Sequence, residues 1–306
     1  MIRSLYPIDL VSLPFLSRGL LTNEAISRDG VEKRNLLTPQ ALLQHWFPLK
    51  RTRYTWLWLN LGRVHGIVSV RSCYGRTVWQ IDYLRASDEE RCYTLLDRLA
   101  AFGVKKGVKK LFLRLSSDSS LMDGARRSGF SCYSREYLYR YDGAAKLGIA
   151  GTPGSYQLRP RWSSDEYKLF QLYSAAVPTP VRSAEGLTLA EWRESRDRGS
   201  WLEHRREFVL EKEDSLVGWL RLSTGRGMGY FEAVFSPAEE SLQQLVNWGL
   251  VYLNGKSPLF CMVSAFQEPL RKLLQGLGFE ETAEYCAMVK ELALKVREPS
   301  LMPARV

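Results

Sequence analysis

Two glycine–phenylalanine pairs, Gly129-Phe130 and Gly278-Phe279, stand 149 positions apart. Each follows a helix-like run and precedes an alternating, aromatic-rich segment: "RRSGFSCYSREYLYRY" (Arg126–Tyr141) and "LLQGLGFEETAEYCAMVKEL". The same spacing carries Leu121 onto Leu270. Glycine stops a helix because it accepts the left-handed backbone that the turn needs, and the alternation that follows reads as a strand. A chain that writes this ending twice at one spacing is built from a repeated unit, so both halves must satisfy one fold.

Two further matches keep the order. "IRSLYPIDL" (Ile2–Leu10) aligns with "LRPRWSSDE" (Leu158–Glu166), with arginine, aromatic and aspartate equally spaced. "WLWLNLGRVHGIVSV" (Trp56–Val70) aligns with "FVLEKEDSLVGWLRL" (Phe208–Leu222), each a strand, a polar turn and a strand entered at Gly66 or Gly218. Between the halves, "DGAAKLGIAGTPGS" (Asp142–Ser155) is rich in small residues and lacks an amphipathic period, as linkers do. The expected units are 1–142, a linker at 143–155, 156–294 and a tail at 295–306.

Each half reads as strand, helical segment, two or three antiparallel strands, helix, strand, helix, strand, which is an α+β plan. In the first half "TVWQIDYLRA" alternates, and Leu95, Leu96, Leu99 and Phe102 then fall on one helical face. Lys105, Lys106, Lys109 and Lys110 flank the end of that helix, where cations complement its dipole.

A chain of 306 residues is long enough for two cores, and no apolar run reaches the length of a membrane span. The opening "MIRSLYPIDLVSLPFLSRGLL" is interrupted by Asp9 and two prolines, and reads as a first strand and helix rather than a signal peptide. Five scattered cysteines without C-x-x-C, and three isolated histidines, predict neither a disulfide framework nor a metal site, and fit a reducing cytoplasm. The formal charge of +10 fits an anionic partner or simply a basic solvated surface.

The order strand–helix–strand–helix–Gly-Phe–strand after antiparallel strands resembles the GNAT acyltransferase superfamily. The best local match is "LLDRLAAFGVKKGVKKLFLRL…ARRSGF" (Leu95–Phe130). The resemblance implies two tandem GNAT-like domains, each a mixed, mostly antiparallel sheet flanked by helices. It further implies acetyl-CoA or another acyl-CoA in a V-shaped opening between two strands, with transfer of the acyl group to an amine. The pyrophosphate would rest on backbone N–H groups at the start of the cofactor-side helix, where free donors and a positive dipole end meet. A strand carboxylate would serve as general base, and Asp82 in "WQIDYL" and Glu232 in "YFEAVF" stand in that place. Glu232 has the better setting, because the Gly-rich "TGRGMG" precedes its strand. The implied cofactor positions are Leu84, Arg85, Ser87 and Arg91 in the first half, and Val234 and Ser236 in the second.

The chain departs from the family pattern at two points. In place of the usual Arg/Gln-x-x-Gly-x-Gly/Ala loop, the helix starts read Ser87–Arg91 and Ser236–Glu240, without glycine. Both spell a capping box, Ser87-x-x-Glu90 and Ser236-x-x-Glu239, in which the serine takes N–H groups that a phosphate would use. The family's helix tyrosine, four residues before the Gly-Phe glycine, is replaced by Ala125 and Leu274.

Three readings follow. The first is an acyl-CoA-dependent N-acyltransferase whose cofactor loops are eroded in both halves. The second is a non-catalytic tandem module with Trp56, Trp58, Trp162 and Trp201 as its contacts. The third, nucleic-acid binding, draws on "KRTRYTWLW" and "RPRW", where basic residues adjoin aromatics; without a dense basic run or a binding module it ranks last.

Overall fold

The computed structural model describes residues 2–5, 23–26, 53–60, 63–73, 75–143, 156–196, 204–225, 227–237 and 242–293. The Asp9 match, nearly all of the linker, Trp201, Glu239 and the tail lie outside them.

The first half runs β1 (Ile2–Ser4), β2 (Arg53–Asn60), β3 (Arg63–Ser72), β4 (Val78–Ala86), α1 (Glu89–Lys105), β5 (Lys110–Ser116), α2 (Met122–Arg127) and β6 (Ser131–Tyr141). The second opens with β7 (Gln157–Pro160) and the helices α3 (Glu166–Ala176), α4 (Thr179–Glu185) and α5 (Leu189–Ser195). It continues with β8 (His204–Lys212), β9 (Ser215–Gly225), β10 (Met228–Phe235), α6 (Leu242–Tyr252), β11 (Leu259–Ser264), α7 (Glu268–Gly276) and β12 (Glu280–Glu291).

The repeat survives in small irregularities. The β2–β3 ladder slips after Trp58, opposite Gly66, and the β8–β9 ladder slips after Leu210, opposite Gly218. Helix packing explains the first glycine: a Cβ on Gly66 would stand 2.6 Å from Leu95 Cδ1 of α1. At Gly218 the contact is with Leu245 of α6, at 3.1 Å. The Gly-Phe endings also coincide. Gly129 and Gly278 adopt φ of +90° and +86°, and the following N–H groups donate to Ala125 O (3.2 Å) and Leu274 O (3.0 Å). This closure turns Phe130 and Phe279 into the two cores.

All twelve described strands join one sheet in the order β1-β2-β3-β4-β5-β12-β6-β11-β10-β9-β8-β7. It is mixed and mostly antiparallel; the parallel pairs are β4–β5 and β10–β11, each joined by a crossover helix. The closing strands are exchanged: β12 inserts between β5 and β6, while β6 pairs with β11. Each half therefore completes the other's sheet. Cross-strand partners share a face, and the pairing of Glu284 with Tyr137 puts the core under α1 and α2 on the same face as the core under α6 and α7. Helices α3 to α5 pack on the other face, where α3 meets Val209 and Trp219.

Two expectations need correction. Cys132 on β6 and Cys286 on β12 are joined by a disulfide, Cα to Cα 5.8 Å, which the scattered cysteine spacing did not announce. Strand exchange, invisible in sequence, brings them together. Trp56, considered as a surface contact, is a core residue at 7% exposure, whereas Trp162 is 57% exposed. Among the described residues, no helix is long and apolar enough to cross a membrane.

Candidate functional site

In each half a parallel strand pair opens into a V. β4 and β5 pair only from Val78–Gln80 against Lys110–Phe112, and β10 and β11 only from Gly229–Phe231 against Leu259–Cys261. Beyond these contacts the strands diverge, and the two openings differ in what lies between them.

The first is filled by the chain itself. Glu24 N–H donates to Leu84 O (2.9 Å), and Ile26 N–H donates to Arg114 O on the opposite strand (3.0 Å). Ala25 bridges to Leu115. Asn23 completes the plug: its Oδ1 accepts from Leu84 N–H and Ala25 N–H, both at 3.0 Å, and its Nδ2 donates to Asp82 O (2.9 Å). Glu24 is ion-paired with Arg85 and accepts from Ser119 Oγ (3.1 Å). Residues 23–26 thus lie between β4 and β5, bonded to both, and both backbone polar groups of Leu84 are engaged by them.

The start of α1 carries a side-chain cap, although not from the expected residue. Asp88, rather than Ser87, is the N-cap, and it accepts from Arg91 N–H at 2.9 Å. Glu90 does not reach back as a capping box requires; it pairs with Arg127 (2.9 Å). The Arg91 backbone N–H holds the Asp88 carboxyl below its ordinary value. The Arg91 side chain pairs with Asp88 and donates to Ser87 Oγ (2.9 Å). From the other side α2 presses on this turn, so a Cβ on Gly124 would come within 2.6 Å of Glu89 O.

In the second opening, Ser236 N–H donates to Val217 O (2.8 Å). By the alternation of an antiparallel ladder, Val234 and Glu232 then turn their backbone groups toward β9, and Ala233 turns its own toward β11. Register equates Ala233 with Leu84, because each lies two residues before the partner of the glycine that recurs in both halves, Phe235 opposite Gly218 and Ala86 opposite Gly66. Among the described residues, a side chain meets Ala233 here: Gln267 Nε2 donates to Ala233 O (2.8 Å), and Gln267 Oε1 accepts from Ser264 N–H (3.2 Å). The Ser236-x-x-Glu239 capping box lies partly outside the described residues.

On the face covered by α3 to α5, this opening leads to a cavity of about 150 Å³. Glu232, Ala233, Val234, Ser264 and Gln267 line it on the side of the second V. Glu232, at 16% exposure, is ion-paired with Arg221, its cross-strand partner on β9. The pair has a counterpart 150 positions earlier, where Asp82 meets Arg71 (3.6 Å) and also pairs with Arg53. Asp82 is not part of the cavity lining. The first half contributes Arg114 and Glu136, a buried ion pair, and Tyr133. Helix α4 contributes Glu185, which accepts from Tyr133 (3.3 Å) and Tyr173 (3.2 Å). The apolar wall includes Leu169, Leu172, Val177 and Val181. At the base of the second V, burial pushes the Cys261 thiol well above its ordinary value.

The structure therefore brings Glu232, Val234 and the Ala233 backbone to one cavity, and puts Asp82, Leu84, Arg85, Ser87 and Arg91 in the closed half. Ala125 and Leu274, at the place of the family's tyrosine, are both fully buried. Sequence reasoning missed Asn23 and Gln267, and it missed Arg221, whose recurrence with Arg71 at the Asp82–Glu232 spacing was a readable signal. The basic–aromatic stretches are engaged internally: Arg53 pairs with Asp82, and Arg159 pairs with Asp165 and Glu211 and stacks on Trp162. Among the described residues, no group of His, Cys, Asp and Glu is placed to hold a metal ion.

No protein-family model matches the sequence, and no curated protein does. Solved structures do match. A tandem GNAT protein from the clavulanic acid biosynthesis pathway shares 13% identity over 96% of this chain and 99% of its own, with a TM-score of 0.59. A GCN5-related N-acetyltransferase from Sphaerobacter thermophilus shares 15% identity over 95% of each chain, TM-score 0.58. An acetyltransferase-like protein of Pyrococcus horikoshii covers 97% of this chain at 11% identity and a TM-score of 0.54. The chain has the tandem GNAT fold.

Proposed function

We propose that this protein is an acyl-CoA-dependent N-acyltransferase working through its second half alone, with 1–142 and 156–294 as the repeated units. The observation that carries this reading is the contrast between the two openings. In the first, residues 23–26 bond to both strands. In the second, among the described residues, one side chain spans the strands, beside a cavity that holds a carboxylate. An acyl-CoA, when bound, supplies a thioester whose acyl group passes to the acceptor nitrogen as the thiol leaves.

The chain's own residues have distinct parts in this reading. Ala233 O and Ser264 N–H would hold an extended amide arm between β10 and β11, as Leu84 holds the plug. Glu232 would take a proton from the acceptor amine, a task that needs a carboxylate within hydrogen-bond reach of the nitrogen. Arg221 would fix the rotamer of Glu232. The apolar wall from α3 and α4 would keep water from the reacting atoms, and a cavity of this size limits the acceptor to a small amine. The first half would act as the rear wall through Arg114, Glu136 and Tyr133.

A second reading, a binding module without turnover, is favoured by one observation: apolar Ala125 and Leu274 are buried where a proton donor for the leaving thiol belongs. Calorimetry of the full chain with acetyl-CoA, followed by thiol release against a panel of small primary amines, separates the two. One site per chain with amine-dependent thiol release is expected. Absence of binding, or binding without release, overturns the transferase and selects the module.

A further inference from the structure

We infer that Gln267 is a latch that closes the second opening until an amide-bearing ligand displaces it. The inference rests on the acyl-CoA reading above and names the residue that ligand must move.

The first half displays what an occupant of the V bonds to. There residues 23–26 reach Leu84 O through Glu24 N–H on one side and Arg114 O, beside Ser116, through Ile26 N–H on the other. Leu84 corresponds to Ala233, and Ser264 corresponds to Ser116, since Ser116 O accepts from Ser119 N–H as Ser264 O accepts from Gln267 N–H. Gln267 engages Ala233 and Ser264 with one carboxamide, donating to Ala233 O (2.8 Å) and accepting from Ser264 N–H (3.2 Å). One primary amide thus takes in the second opening the carbonyl, Ala233 O, whose counterpart Leu84 O the chain's own residues 23–26 take in the first. A secondary amide of an extended ligand has the same donor and acceptor, and it competes with Gln267 for Ala233 O and for the space between the strands.

The local backbone supports a role other than capping. Gln267 is the N-cap of α7, with φ −91° and ψ 47°, and its side chain makes no capping bond. Ser, Thr, Asp and Asn satisfy that position far better than Gln. A side chain long enough to cross the V stands instead where a short cap belongs. Once displaced, it has the cavity beside it, since Gln267 already contributes to the lining.

The test compares wild type with Gln267→Ala and with Gln267→Asn, whose amide is one methylene shorter and cannot span both strands. Acetyl-CoA affinity is measured by calorimetry, and amide hydrogen exchange at Ser264 with and without acetyl-CoA. A latch predicts affinity two- to tenfold tighter in both variants, the worth of one displaced hydrogen bond. It also predicts faster exchange at Ser264 in the unliganded variants and renewed protection when acetyl-CoA is added. Binding that is equal or weaker in the variants overturns the latch and leaves the acyl-CoA reading standing, with Gln267 as part of the cradle. Unchanged Ser264 exchange in the unliganded variants overturns the latch whatever the ligand does. Absence of binding in all three proteins overturns the acyl-CoA reading, and the displacement with it. If the alanine variant does not fold, the asparagine variant decides.

Discussion

Arg114 and Glu136 form a buried ion pair although an entire strand lies between them. Arg114 is on β5 opposite Ala287, and Glu136 is on β6 opposite Tyr285, so the two side chains meet over the face of the exchanged strand β12. Neighbouring strands are about 4.8 Å apart, and only long side chains passing a small residue such as Ala287 can close twice that distance. The pair clasps β12 from both sides.

Breaking that clasp from one side should cost stability out of proportion to one contact. Glu136→Ala removes the carboxylate partner of a guanidinium at about 6% side-chain exposure, for which about 3–5 kcal/mol is the usual loss. Arg114→Met combined with Glu136→Leu should recover most of it. Chemical denaturation of the three proteins checks both statements.

Asn23 is the keystone of the filled opening, with two hydrogen bonds to β4 and one to its own segment. Asn23→Ala should lower stability by about 1–3 kcal/mol, since buried backbone groups lose their partners. The number of acyl-CoA sites should remain one per chain. A second site in calorimetry of the variant would show the plug to be a gate instead.

The two carboxylates should behave differently in turnover. Glu232→Gln should reduce kcat by about 10²–10⁴ with acetyl-CoA affinity little changed. Asp82→Asn, in the closed half, should lower the melting temperature and leave kcat within about twofold. Equal losses in both variants would sever the link between the cavity and the chemistry.

Acid sensitivity should trace to the base of α3. The Arg159 guanidinium beside Asp165 holds its carboxyl below the ordinary value of 3.8, and does the same for Glu211, ordinarily at 4.5. A group whose folded value is depressed contributes fully above its unfolded value and less as pH falls through its folded one. Asp165→Asn should therefore be less stable than wild type at pH 6, with the gap closing below about pH 4. A pH series of melting temperatures measures it.

Much of the architecture was legible because it is local. The Gly-Phe turns, the paired hairpins at Gly66 and Gly218, and the crossover helices all announce themselves through periodicity and backbone chemistry. The exchange of β6 and β12 was not legible: both strands alternate alike, and nothing in a strand's own sequence names the edge it joins. The cap on α1 was misplaced by one residue, because Ser87 and Asp88 are both good caps and only the geometry at Arg91 chooses between them. Glu232 could be picked out as a candidate from its strand. Asn23 and Gln267 could not, since an amide side chain carries no periodic signal and matters only for the backbone it meets.

The exchanged strands also change what it means to cut this chain. Scission between Asp142 and Gln157 would leave two fragments, each holding a strand that lies inside the other's half of the sheet. β12 alone pairs with both β5 and β6, so the fragments would stay associated as a heterodimer and part only by unfolding. In topology the protein is a strand-swapped dimer written as one polypeptide, with the connecting segment setting the partners' concentration rather than separating two independent bodies.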